Sequence, residues 1–483
     1  MTTSLFGGVQ VFNIIFAIIR SKAAAFFIGP VGIGILGLLN SVINIISQTT
    51  KLGIDVTAVK EIAYADKNND KVVVNKTLYL VKKLVWITGI LGALITAIAA
   101  PILSQITFGD KSYTWAFLTL AFVVLIKQLT AGNLAVLRGL RKHQQLVRAT
   151  IYGALFSVIV TVICYYLYGI DSIVYVIVFS ALLLFFFSWI YSKKFANNKQ
   201  QIKLSKKDFF DESKPMIKLG FYLSLVGVFS LVATYAFQVF LRNSADVKVV
   251  GFYQAAFVII NTYIGLVFNA LRTDYFPRLS AVHNTQVELK ETVLKQARVT
   301  ILLITPIVIF FIVFSQLIIK ILYSSEFLVI SSLLIWAMLG MVFKATSFTL
   351  GYVILAKNDS KVFLKTSVIF NLLFLTMTVI GYKYFGLEGI GIAYFLYYII
   401  HFISLKIIVN FKYKLTLDSS YYKVLLVSFI LCLLAFMVNY IPNLTIKYSL
   451  FFVILTITLI FVYKQIHKLI DLNSLFKRFL NKN

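Results

Sequence analysis

Runs of about twenty consecutive apolar residues follow one another almost from end to end of this 483-residue chain. A helix needs ~20 such residues to cross the hydrocarbon core of a bilayer. Within that core, only helices and closed barrels satisfy all of their own backbone polar groups. Hydrophobic residues make up 60% of the sequence and charged ones 13%, with a mean hydropathy of +0.89. That leaves too little polar surface to coat water-soluble domains. The expected fold is an all-α polytopic membrane protein, and an array of soluble domains is excluded.

Breaking the runs at charge clusters and Gly, Pro or Asn turns predicts fourteen transmembrane helices. They span 5–28, 33–59, 84–104, 114–137, 149–168, 173–192, 219–241, 251–272, 299–319, 329–356, 366–382, 389–405, 424–440 and 448–463. The Lys/Arg distribution tests the count. Alternate connections, beginning with 60–83 and ending with the tail 464–483, carry 34 Lys/Arg in total, and the intervening ones carry six. A missed or invented span would scramble that alternation, so the positive-inside rule puts both termini in the cytoplasm. Most of the formal +28 charge is therefore a topology signal and a set of contacts to anionic membrane lipids, not a nucleic-acid footprint.

Sliding the sequence on itself by 217 residues aligns several features without a gap. Gly34 meets Gly251, Lys127 meets Lys344, Arg148 meets Lys365, and Tyr168-Gly169-Ile170-Asp171 meets Phe385-Gly386-Leu387-Glu388. The offset covers six helices, an even number, so the copies share orientation and are expected to be related by an axis along the membrane normal. The organisation this predicts is two pseudo-symmetric six-helix bundles, at 1–200 and 219–412. A cytoplasmic linker at 201–218 joins them, and two extra helices with a basic cytoplasmic tail follow at 413–483.

Eight charges fall within or at the edge of the spans: Arg20, Lys22, Lys51, Asp55, Lys127, Arg272, Asp274 and Lys344. A charge at the centre of a membrane helix costs about 2.5–3.5 kcal/mol on the insertion scale, and such residues usually face a bundle interior or a watery cavity. Lys51 and Asp55, four apart, are placed to pair on one helix face. Arg272 and Asp274 lie near a helix end, each beside an opposite charge, and ion pairing or coupling is the expected role of both acids. Lys127 and Lys344 sit roughly 16–20 Å from the nearest basic loop, near mid-bilayer, with no acid within a turn. An uncompensated cationic cavity is offset by a bound anion, and phosphate or diphosphate is the common membrane-borne one. An exporter of cations would instead need buried acids.

Other motifs fail their context tests. Gly32-Ile33-Gly34-Ile35-Leu36-Gly37 matches a dinucleotide fingerprint but follows no strand, so it reads as a small-residue helix start after Gly29-Pro30. No Walker A sequence occurs, the four histidines are scattered, and Cys164 and Cys432 lie inside apolar runs. Neither a metal, a cofactor nor a catalytic residue is expected. The longest intervening connection is about nine residues, too short for the outer loop of an integral glycan polymerase, so a transporter is expected and not an enzyme.

Several stretches carry a family likeness: Phe27-Ile28-Gly29-Pro30-Val31-Gly32-Ile33-Gly34-Ile35-Leu36-Gly37, Lys51-Leu52-Gly53-Ile54, and Asp274-Tyr275-Phe276-Pro277-Arg278-Leu279-Ser280. To these are added Lys344 and Gly351-Tyr352-Val353-Ile354-Leu355-Ala356-Lys357. Over about residues 5–410 the chain resembles the O-antigen-type flippases (Wzx) of the multidrug/oligosaccharidyl-lipid/polysaccharide (MOP) exporter superfamily. The resemblance implies two six-helix lobes around a cleft that opens alternately to each face. The implied activity is movement of an undecaprenyl-diphosphate-linked oligosaccharide, an O-antigen or related surface-polysaccharide repeat unit, from the cytoplasmic to the periplasmic leaflet of a bacterial inner membrane. A polysaccharide polymerase and a chain-length regulator are the implied partners. By location, Lys127, Lys344, Arg20, Lys22, Lys51 and Arg272 are the candidates to hold the diphosphate. Two alternatives on the same fold stay open, a drug or organic-cation antiporter and a lipid-II flippase.

Overall fold

The structure, a computed structural model, describes residues 2–67, 71–196 and 205–469. Parts of the proposed linker (201–204) and of the basic tail (470–483) lie outside the described residues. Every described element is helical. In chain order they are α1 (Thr2–Phe27), α2 (Gly29–Lys51), α3 (Ile54–Lys67), α4 (Lys71–Phe108), α5 (Thr114–Gly139), α6 (His143–Tyr168), α7 (Ile173–Ala196) and α8 (Lys206–Ser244). After these come α9 (Val247–Val258), a π-helical turn (Ile259–Ile264), α10 (Gly265–Ala281), α11 (Gln286–Val313), α12 (Ser315–Leu322), α13 (Ser331–Ala356), α14 (Ser360–Tyr413), α15 (Ser419–Val438) and α16 (Leu444–Leu469).

Among the described residues, eleven helical stretches are long and apolar enough to cross a membrane. Two of them, His143–Phe195 (53 residues) and Ser360–Tyr413 (54 residues), hold two crossings each, because a bilayer core consumes only ~20 residues. The first is broken at Gly169 (φ +53°), the second at Gly386 (φ +59°). There the left-handed backbone favours a residue without a Cβ. With the 26-residue α1 the count reaches the expected fourteen. The chain is a multi-pass membrane protein.

The duplication is written in the backbone. Moved by 217 residues, the limits of α5 become the limits of α13, and Gly169 lands on Gly386. Arg141 (φ +54°), in the turn after α5, lands on Asn358 (φ +54°), in the turn after α13.

Two local expectations need correction. The second span does not run from 33 to 59. It begins at Gly29, with Pro30 in the first turn where a missing N–H does no harm, and it breaks at Leu52 and Gly53, both at positive φ. A Cβ on Gly53 would lie 2.3 Å from the Gly220 carbonyl oxygen, so close approach of α8 requires glycine at this corner. The eighth span does not end at 272 but continues helically through Pro277 to Ala281. The polar stretch after α7 is helical from Lys206, where Ser205 caps α8 by accepting from the Asp208 N–H.

Two compact units divide the chain, residues 1–254 with 322–324 and residues 255–321 with 325–483. In the first, Ile54, Ala58 and Ile62 of α3 pack with Leu84 and Val85 of α4, Ile126 and Leu129 of α5, and Phe209 and Met216 of α8. In the second, α13 is the buried axis. From Leu333 to Ala356 most of its residues are buried, and α11, α14 and α15 pack around it. Wide apolar faces elsewhere, such as Leu94, Ile98 and Ile102 on α4, remain exposed as lipid-facing helices require.

Candidate functional site

Five helices of the first unit, α1, α2, α5, α6 and α7, line a cavity of about 550 Å³, within the size range of small-molecule sites. Two cations reach it, Arg20 from α1 and Lys127 from α5. The remaining polar lining is uncharged, with Asn40, Thr130, Thr150, Ser157, Thr161, Tyr165 and Ser180. Among the described residues no carboxylate lines the cavity. Arg20 Nη2 donates to Ser157 Oγ (3.3 Å), which donates in turn to Ser180 Oγ (2.8 Å).

Lys127 lies thirteen residues into a 26-residue helix, roughly 20 Å from either end, too deep to reach an interface by stretching. Its ammonium donates to Asn44 Oδ1 of α2 at 2.8 Å. Among the described residues neither Lys127 nor Arg20 forms an ion pair. An ammonium carries three donors, and Asn44 takes one of them. The cavity is thus a set of hydrogen-bond donors and positive charge in low dielectric, the complement of an oxyanion.

The second unit treats the equivalent lysine differently. Lys344 Nζ donates to the Tyr394 hydroxyl (3.1 Å) and lies 5.4–5.7 Å from the ring centres of Phe268, Tyr394 and Tyr398. It sits in an aromatic cage, where cation–π attraction replaces hydration. The 217-residue shift carries Asn40, Ser157 and Ser180 to Phe257, Phe374 and Tyr397. Those rings pack on one another, Phe257–Phe374 at 6.4 Å and Phe374–Tyr397 at 5.0 Å. The copies have diverged at matched positions, polar around Lys127 and aromatic around Lys344.

The other sequence-selected charges lie elsewhere. Lys22 Nζ donates to the Tyr323 carbonyl at 2.5 Å. Lys51 and Asp55 form the anticipated pair at 3.0 Å, across the Leu52–Gly53 break. Arg272 is exposed on α10 beside the Tyr352 hydroxyl. Asp274 does not pair with Arg272. It pairs with Arg278 at 2.6 Å, because residues two apart on a helix diverge and residues four apart share a face. Charge alone missed Asn40, Asn44, Ser157 and Ser180. A signal for Asn44 existed, since the same offset carries it to Asn261.

A family model described as polysaccharide biosynthesis protein matches residues 24–332, more than half of the chain. The chain belongs to this polysaccharide biosynthesis protein family. The match includes the glycine-rich first turn, Lys51–Ile54 and the Asp274–Ser280 stretch, three of the segments that carry the sequence resemblance. No curated protein matches the chain. Among solved structures, the lipid II flippase MurJ in an inward closed conformation matches with a TM-score of 0.70 and 15% identity, over 96% of this chain and 99% of that one. An inward-facing multidrug-resistance MATE family transporter of the MOP superfamily matches with a TM-score of 0.68 and 15% identity, over 84% and 96%. A MOP superfamily transporter from Pyrococcus furiosus, described as having a binding pocket of reverse polarity, matches at 0.55 and 16%, over 83% and 95%. At such identities the likeness establishes the fold alone, which this family member shares with those three structures.

Proposed function

We propose that this protein is a flippase for an undecaprenyl-diphosphate-linked oligosaccharide, an O-antigen or related repeat unit, which it carries from the cytoplasmic to the periplasmic leaflet by alternating access. The observation that carries this reading is the cavity of the first unit, with Arg20 and Lys127 inside it and no carboxylate among the described residues of its walls. Two cations at one cavity, neither with a counter-ion among the described residues, favour a ligand bearing at least two negative charges, and membership of a polysaccharide biosynthesis family makes a lipid-linked glycan the consistent one. Arg20 and Lys127 hold the diphosphate, and the neutral hydroxyls around Ser157 hydrogen-bond its remaining oxygens. Lys22, Lys51, Arg272 and Lys344 act along the path of the headgroup. The isoprenoid tail stays in lipid, so the protein lowers the barrier to moving charge across ~30 Å of hydrocarbon and breaks no bond.

The 34-to-6 division of Lys/Arg between alternate connections supports cytoplasmic termini in a bacterial inner membrane. A polysaccharide polymerase and a chain-length regulator are proposed as its partners. A cation antiporter is disfavoured, because the cavity would repel its cargo. A lipid-II flippase is the second reading, favoured by one observation: the MurJ match extends over 96% of the chain and the MATE match over 84%.

The test is a fluorescent polyprenyl-diphosphate glycan in proteoliposomes, scored by leaflet-specific quenching. The wild type is expected to equilibrate the probe, and the R20Q/K127Q variant to lose at least ten-fold in rate at equal reconstitution. Full flipping by the double variant overturns the reading. Loss of surface polysaccharide with continued growth on gene deletion supports the first reading over the second.

A further inference from the structure

The two copies of the repeat hold one pair of residues in two different arrangements. Lys127 and Asn44 become Lys344 and Asn261 on the 217-residue shift. In the first copy the asparagine sits on an uninterrupted α2, and its oxygen accepts from the lysine at 2.8 Å. In the second copy Asn261 lies inside the π-helical turn Ile259–Ile264. Ile259, Ile260 and Ile264 of that turn are buried, whereas Asn261 is exposed and its side chain hydrogen-bonds to none of the described residues. Lys344 is left to the Tyr394 hydroxyl and its cage. Both the turn and α10 pack on α13, the helix that carries Lys344.

The π turn supplies a physical cause for the difference. Its hydrogen bonds span five residues where α-helical ones span four, so one residue more than an α-helical path is accommodated. That rotates the side chains around it by about 100° relative to an unbroken helix. Isolated π turns store strain and recur at functional positions. An asparagine in an apolar helix, matched by sequence to a bonded one and held off its partner by such a turn, is a contact one conformational step from forming.

We propose that Asn261 is a conditional positioning residue for Lys344. Relaxation of the π turn to α-helix brings its amide oxygen onto the ammonium, which leaves the aromatic cage and offers its remaining N–H groups to an anionic headgroup. Asn44 does this permanently for Lys127. The proposal rests on the flippase reading for its ligand, but not for its geometry. In one lobe the cation is always presented; in the other it is presented on demand, giving the headgroup a second site that exists in only part of the cycle.

Two measurements on the full chain test this. Hydrogen exchange in nanodiscs follows the peptide covering 259–264 with and without millimolar inorganic pyrophosphate. Slower exchange with pyrophosphate is expected in the wild type, and no change in N261A or K344Q. Flipping of the fluorescent probe is then compared for N261A, K344Q and N261A/K344Q, with N261Q as the conservative control. Each single variant should lose about five-fold or more, the double variant no more than K344Q alone, and N261Q should recover part of the rate. Wild-type flipping by N261A, multiplicative losses in the double variant, or exchange indifferent to pyrophosphate each overturn the proposal. If the wild type fails to move the probe while the exchange effect persists, the flippase reading falls and the switch stands.

Discussion

The guanidinium of Arg242, near the end of α8, donates to the carbonyls of Ile106 (3.0 Å) and Thr107 (3.1 Å) in the last turn of α4. Carbonyls at a helix C-terminus lack intrahelical partners and carry partial negative charge, so a cation there satisfies both needs. The neighbouring Tyr235 hydroxyl lies 2.7 Å from Thr107 Oγ1, and a Cβ on Gly109 would fall 2.5 Å from Arg242 Nη1. R242Q is expected to destabilise the first unit by about 1–2 kcal/mol, less than two fully buried charge-assisted bonds would give because the site is half-exposed. G109A should cost about as much, since its φ of +89° strains any side chain and its methyl displaces the guanidinium. Thermal unfolding in detergent measures both, and an unchanged midpoint for the pair of variants would remove this clamp from the account.

The divergence between the copies yields a variant that alters no charge. S157F installs in the first copy the residue found at the equivalent position, Phe374, of the second. The ring would occupy the cavity beside Arg20 and remove the hydroxyl that Arg20 and Ser180 share. Flipping of the fluorescent probe is expected to fall more than ten-fold, with the added apolar contact limiting the loss of stability. The reciprocal F374S deletes ring contacts to Phe257 and Tyr397 and should destabilise by about 2–4 kcal/mol while opening no cationic site. Retained flipping by S157F would show that the cavity is not on the transport path.

Much of the helical architecture was legible because bilayer thickness sets helix length, which shows in composition alone. The repeat was legible for a related reason: glycines at breaks and charges at mid-depth are hard to substitute. What stayed hidden depends on dihedral angles and neutral side chains. Nothing local announces that Leu52 adopts φ +49° or that residues 259–264 widen into a π turn. Symmetry between Lys127 and Lys344 was readable; the asymmetry of their surroundings arose from Ser157, Ser180 and Asn40 against Phe374, Tyr397 and Phe257, which a scan for charge passes over. Asp274 was matched to Arg272 because the helix was ended too soon, which concealed its i,i+4 partner Arg278.

Lys51 was a candidate anion ligand, and its 3.0 Å contact with Asp55 makes a specific forecast. Both side chains are about three-quarters buried, with 20% and 26% exposed, so removing one partner leaves the other poorly solvated. D55N is expected to lower stability by about 1 kcal/mol, between the values for exposed and fully buried pairs, while K51Q/D55N recovers most of it. If Lys51 acts through this pair, the double variant flips the probe within three-fold of wild type. A ten-fold loss in the double variant with normal stability would instead show that Lys51 meets the headgroup directly.

Asp359, in the short connection between α13 and α14, supports a pH prediction. The hydrogen bond from Lys412 is the main influence holding its carboxyl below the ordinary value, and the Val362 N–H and Tyr413 hydroxyl add to it. A carboxylate whose folded value is depressed stabilises the fold fully above its unfolded value of about 3.9. That contribution is lost as pH falls through the lower folded value. D359N keeps a side chain able to cap α14 but cannot pair with Lys412, so wild type should exceed D359N in unfolding midpoint at pH 7. The gap should hold down to about pH 5, then close at more acid pH as the wild-type carboxylate protonates. Equal midpoints for the two proteins at pH 7 would mean that Asp359 acts through its cap to Val362, which asparagine can supply, and not through its charge.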